Sequence, residues 1–133
     1  MSEEKDVVRE RAVRYQHAMA ELEARMEQAG GLNEGLSIAL NCMVKASRAA
    51  AGTFWFYDRF GDGRIHPKAI YGGADLGDYT LAYGEGIAGQ VIAHGESTIV
   101  RDCQADPRWA EQADRRTGFV TRTMLCIPLR YQQ

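Results

Sequence analysis

The sequence predicts an α+β fold. Residues 3 to 29 carry apolar side chains at alternating spacings of four and three, residues 53 to 71 read as an aromatic-rich β-hairpin, and short strands and helices follow in turn. A chain of 133 residues, 45% of them apolar, has the size of one domain and can bury a core without disulfides or metals.

In the first segment Val8, Ala12, Tyr15, Met19, Leu22, Met26 and Ala29 form a heptad seam uninterrupted by Pro or Gly. Glu10 with Arg14 and Glu21 with Arg25 stand four apart, pairs worth about 0.3 to 0.5 kcal/mol each. Ala and Met bury little area in a seam, so the helix is expected to work attached to something larger, as a dimer contact or lying on its own domain. Gly30 and Gly31 stop it. Asn33 can cap a second helix in which Leu36, Leu40, Met43, Val44 and Ser47 share a face until Gly52 closes it.

The pattern then turns extended. Thr53 to Tyr57 is a strand whose alternation sends Phe54 and Phe56 to one face and Trp55 to the other. Asp58 to Gly63 reads as a hairpin loop before Ile65 to Tyr71, and Gly72 to Asp78 as a flexible connector. Tyr79 to Tyr83 is a short strand, Ile87 to Ala93 a short helix ended by Gly95, and Ser97 to Arg101 a strand. Asp106 followed by Pro107 suggests a capped helix from Pro107 to Arg116, and Arg122 to Tyr131 closes the pattern as a strand.

Charge and cysteine usage exclude several classes of function. Sixteen bases against eighteen acids give a formal charge of −2, evenly spread, so the chain has no polycationic face for nucleic acid or anionic lipid. No apolar stretch has membrane-spanning length, and the acidic N-terminus is the opposite of a signal peptide, so a cytoplasmic setting is expected. Cys42, Cys103 and Cys126 fit neither a disulfide framework nor zinc-ligand pairs and read as reduced packing thiols. No carboxylate pair, serine and histidine combination or metal-ligand spacing rises above chance, so neither a metal nor a cofactor is expected.

Gly84-Glu85-Gly86-Ile87-Ala88-Gly89 matches the dinucleotide-binding pattern G-x-G-x-x-G. Its strand belongs to a hairpin-rich region, its helix has about two turns, and no strand and helix alternation follows, which argues against a dinucleotide fold. The turn itself still directs the free N–H groups of Ile87 and Ala88 beyond the helix start.

An ordered series over residues 33 to 130 resembles the GAF domains, sensory and regulatory modules of signalling proteins, of the bacterial and cyclic-nucleotide-phosphodiesterase type. The series is Gly84 to Val91, Gly95-Glu96, Asp106-Pro107-Arg108, Arg116 to Phe119, and Thr121 to Leu129. The resemblance implies a central antiparallel sheet, related to the PAS architecture, with helices on one face and a pocket on the other roofed by short helices and loops. It divides the chain into a signalling or dimerisation helix over residues 1 to 30 and a GAF-like domain over residues 31 to 133. It also implies that the family's final strand and helix are missing, with a partner chain or direct pairing of Thr53 to Tyr57 with Arg122 to Tyr131 filling the gap.

The family pattern places ligand contacts at Thr53 and Tyr71 on the hairpin, at Ile87 and Ala88 through backbone amides, and at Asp114, Thr117 and Thr121 in the roof. Phe54 and Phe56 on the first strand and Trp109 in the roof complete the candidate set. The roof aromatic of cyclic-nucleotide binders aligns with Ala110, and Trp109 is its neighbour. The resemblance therefore implies a non-enzymatic sensor for a cyclic nucleotide or another small effector, homodimeric through the N-terminal helix, with an output domain linked or separate. Two alternatives stand beside it: a ligand-free dimerisation module, and a free methionine sulfoxide reductase, whose thiols would fall where this chain has Ala88 and a cysteine-free roof.

Overall fold

In the computed structural model, which describes residues 1–73 and 76–130, the heptad segment folds as α1 (Ser2–Met26) and the next helical segment as α2 (Leu32–Ser47). The chain divides into two units, Met1–Phe54 with Lys68–Gly73 and Trp55–Pro67 with Ala74–Gln133.

In the first unit α1 and α2 form a helical hairpin. Arg25 donates from Nη1 to Glu21 Oε1 at 3.3 Å and to Asn41 Oδ1 at 3.0 Å, and the Met26 methyl lies over Gly35, where a Cβ would stand 3.1 Å away. The Glu21–Arg25 pair thus forms as its spacing predicts. Glu10 instead pairs with Arg48 at 2.9 Å, while Arg14 lies over the Tyr15 ring; an exposed pair is worth so little that a neighbouring helix can redirect it. The heptad seam is packed only toward its end, where Leu22 and Ala29 are partly covered and Met26 reaches α2. Val8, Tyr15, Met19 and Met26 are 62%, 50%, 55% and 43% exposed, whereas Ala18, Leu22, Arg25 and Ala29 are partly covered.

Helix α2 buries two rows. Leu40 and Val44, with Leu36, pack on Phe54 and Ala69 of the hairpin, and Gly35 and Cys42 face α1. Met43 and Ser47, expected in the buried face, are exposed. Asn33 does not cap the helix: Gly31 occupies that position, and the Glu34 carboxylate accepts the Gly30 N–H at 2.7 Å, an ionised acceptor being stronger than an amide. At the far end Arg48 rather than Gly52 takes the left-handed conformation, at φ 56°. Gly52 opens β1 (Gly52–Tyr57), where a Cβ would come within 2.7 Å of Val44 and 2.9 Å of Leu40.

Strand β2 (Arg64–Tyr71) returns after a turn in which the Asp58 N–H donates to Arg64 O at 2.9 Å. Strand β3 (Leu81–Ala82) pairs antiparallel with β2, Arg64 opposite Ala82 and Ile65 opposite Leu81, giving the order β1-β2-β3. Of the connector Gly72 to Asp78, residues 74 and 75 lie outside the described residues, and Leu76 is buried.

In the second unit α3 (Gly86–His94), ended by left-handed Gly95, buries Ile87 and Val91 against Val100 and Cys103, with Trp109, Met124 and Cys126 at the rim of that cluster. Strands β4 (Thr98–Val100) and β5 (Met124–Cys126) form a separate antiparallel ribbon with Ile99 opposite Leu125. Trp55 stands edge-on to Tyr79, and Tyr57 packs on Tyr83.

Three expectations for this unit are corrected. The strand Arg122 to Tyr131 contracts to Met124–Cys126: the Arg122 carbonyl is taken by the Cys103 N–H at 2.7 Å, Pro128 has no N–H to offer a ladder, and Tyr131 lies outside the described residues. The helix Pro107 to Arg116 contracts to α4 (Gln112–Thr117), because Asp106 is drawn into a turn. Among the described residues β1 and β5 belong to different sheets, so the direct pairing that would close one sheet is not formed.

Candidate functional site

The glycine-rich loop builds one wall of the candidate site. Gly84 and Gly86 have φ of 80° and 69°, conformations that favour glycine, and a Cβ on Gly89 would come within 2.8 Å of Gly84 C and 3.3 Å of Ala82 O. The loop is fixed by its own bonds: Gln90 Nε2 donates to Gly84 O at 2.8 Å, and the Ala82 N–H to Glu85 Oε1 at 3.1 Å. The Gly89 N–H reaches back to Glu85 O at 3.0 Å, so the amides of Gly86, Ile87 and Ala88 precede the first helical bond of α3.

The facing wall is the turn-rich segment from the 3₁₀ turn Cys103–Ala105 to α4. Asp106 Oδ1 accepts the backbone N–H and Nε of Arg108, both at 2.9 Å, while Asp106 Oδ2 accepts from Nη2 at 2.8 Å. The Trp109 N–H donates to Asp106 O at 3.0 Å, closing a four-residue turn where the sequence suggested a helix start. The Arg108 guanidinium and its backbone N–H hold the Asp106 carboxyl down to about 2. Between the walls lies a cavity of about 460 Å³ bounded by Glu85, Gly86, Gln104, Arg108, Trp109 and Glu111, among others. The Trp109 indole Nε1 is buried and has no hydrogen-bond partner among the described residues.

Of the residues implicated by sequence, Trp109 lines this cavity, and Ile87 and Ala88 belong to the adjoining first turn of α3. Asp114 and Thr121 are brought together but spend their polar groups on each other: Asp114 accepts the Thr121 hydroxyl at 2.8 Å and the Thr121 N–H at 2.9 Å. Thr117 Oγ1 accepts the Phe119 N–H at 3.2 Å. In the first unit Phe54 packs in the α2 cluster, Thr53 is partly buried on β1, and Tyr71 ends β2 at 36% exposure. Phe56, in the second unit, is half exposed. Sequence reasoning gave no ligand role to Glu85, Gln104 or Glu111, although Asp106-Pro107-Arg108 stood out as a motif.

The roof has a second tie. Arg116 pairs with Asp78 at 2.8 Å and lies over the Tyr79 ring at 5.7 Å. The thiols nearby are electrostatically quiet: burial raises Cys103, reinforced by Asp106, Asp114 and Asp102, and burial raises Cys126. Both are therefore poor thiolate sources.

A family of regulatory modules accounts for this combination of glycine loop, short helix and turn-built roof. A sequence profile of the GAF domain matches residues 29–133, and the chain belongs to that family. It is 36% identical over 53 residues to the dual 3′,5′-cyclic-AMP and -GMP phosphodiesterase 11A of Takifugu rubripes, a match covering 40% of this chain and 6% of that enzyme's length. Its fold is similar to the GAF domain of a phosphoenolpyruvate-protein phosphotransferase from Coxiella burnetii, with TM-score 0.80, 21% identity, and coverage of 91% of this chain and 72% of the other. It is also similar to the free methionine-R-sulfoxide reductase of Neisseria meningitidis, solved in complex with its substrate, with TM-score 0.68, 19% identity, and coverage of 88% and 65%. Among the described residues no helix is long and apolar enough to cross a membrane.

Proposed function

We propose that this GAF domain is a non-catalytic sensor that binds a small effector in the cavity between the start of α3 and the Asp106–Gln112 roof. The observation that carries the reading is the cavity that sets the opening turn of α3 at Gly86 against Trp109 and Arg108 of the roof, a concave site with a few convergent polar groups of the kind that takes a small ligand. The amides opening α3 add donors, so the effector we favour turns a hydrogen-bond acceptor toward that helix start, a cyclic nucleotide being one candidate whose charge would have to sit away from Glu85 and Glu111. Residues 1–30 act as the signalling helix and residues 31–133 as the sensing domain in a cytoplasmic homodimer. The exposed residues Val8, Tyr15 and Met19 support that dimer, since a heptad row left open on α1 suits a second copy.

Effector binding would act by population shift, favouring one arrangement of the α1 helices over another. The scaffold alternative draws on Asp114 and Thr121, which satisfy each other without a ligand. The reductase alternative lacks support, since Cys103 is buried and its thiol is held protonated. A thermal-shift screen of nucleotides and metabolites tests the sensing reading. A ligand at a hundred times its Kd should add about 2.7 kcal/mol and raise Tm by several degrees. A flat screen would favour the scaffold.

A further inference from the structure

We propose that the β1–β2 turn carries a divalent transition-metal site formed by Asp58, Asp62 and His66. One donor atom from each side chain lies within 4.8 Å of the other two, and His66 Nε2 is 2.7 Å from Asp62 Oδ2. Bonds of about 2.0 to 2.2 Å place tetrahedral donors roughly 3.4 Å apart, so a small closure of the cluster brings all three onto one ion.

Two features prepare the set. The Arg64 N–H fixes Asp62 Oδ1 at 2.9 Å, turning the other oxygen toward His66, an orienting bond of the kind that supports metal ligands. The Asp58 carboxylate folds over Gly61, where any Cβ would collide with it, and it accepts the Asp62 N–H at a weak 3.4 Å.

Among the described residues neither arginine side chain of the turn forms an ion pair with the carboxylates, although the Arg64 charge helps hold Asp62 ionised. Arg64 donates from Nε to Thr80 Oγ1 at 2.6 Å and from Nη2 to Thr80 O at 3.4 Å, and Arg59 lies over the Phe60 ring at 5.5 Å. Two carboxylates therefore converge with one imidazole as the nearest counter-group. A set of two oxygens and one nitrogen suits zinc-type first-row cations, while magnesium and calcium prefer oxygen alone. Three protein ligands leave room for water in the remaining positions.

The test is titration of the full chain with Zn²⁺, read by calorimetry and by ¹H–¹⁵N NMR. The site predicts saturable binding of one ion, amide shifts centred on residues 58–66, and a shift of the His66 ring nitrogen. Asp58→Asn and His66→Gln should each weaken binding at least about tenfold; the glutamine keeps a donor for Asp62, so the turn survives. Absence of saturation at about 1 mM Zn²⁺ would overturn the proposal. So would binding unchanged in both variants, which would assign the ion to the thiols, or Mg²⁺ competing equally with Zn²⁺, which would remove the imidazole from the ligand set.

Discussion

Asp106 sets the local path of the roof through one carboxylate. Because Arg108 holds that carboxyl down to about 2 in the fold, against about 3.9 for a free aspartate, its contribution to stability is complete above about pH 5 and is lost as pH falls through about 2. A carboxyl-carbon NMR titration should give Asp106 a midpoint near 2, returning toward the ordinary range in Arg108→Ala. Gly89 makes a second residue-scale prediction. Gly89→Ala forces a Cβ against the Gly84 and Ala82 backbone and should cost about 1 to 3 kcal/mol, whereas Gly73→Ala, whose Cβ would find only Ile70 at 3.8 Å, should stay within about 0.5 kcal/mol. Chemical denaturation of both variants checks the contrast. The glycine loop was readable from residue types because positive φ and close approach restrict the choice of side chain. The Asp106 turn was not, since a carboxylate before proline suits a helix cap or an arginine clamp equally well.

At the scale of elements, α1 separates what its periodicity can and cannot tell. Heptad spacing located the helix and put Met26 toward its packed side, yet Arg25 reaching Asn41 and Cys42 completes the face set on α2. Those contacts depend on the neighbouring helix and leave no trace in spacing. Met19, 55% exposed, therefore separates association from folding: Met19→Glu should weaken self-association in sedimentation while changing unfolding stability by less than about 0.5 kcal/mol. Leu22→Glu, on the partly covered row, should lower stability as well. In the roof, Asp114→Ala removes the acceptor for the Thr121 hydroxyl and N–H. Faster amide exchange at Thr121 should follow, at a cost of about 1 to 2 kcal/mol for the lost bonds. The Asp58, Asp62 and His66 cluster escaped the sequence because its four-residue intervals acquire meaning only once the turn folds them together.

For the whole molecule, helix order, hairpin, short α3 and family were legible, while the division of strands between two sheets was not. Strand runs announce themselves by residue type, but partners are chosen by tertiary contacts far apart in sequence. The central claim is that an effector enters the cavity beside Trp109. Its most direct test is the indole N–H resonance of Trp109, assigned through Trp109→Phe and followed by NMR as hits from the metabolite screen are titrated, with Trp55 as internal reference. The account predicts a saturable shift of the Trp109 indole signal as a ligand packs beside its ring, with Ile87 and Ala88 amides moving at the same ligand concentration. A ligand that binds and stabilises the protein while leaving the Trp109 indole and these amides unmoved would contradict it.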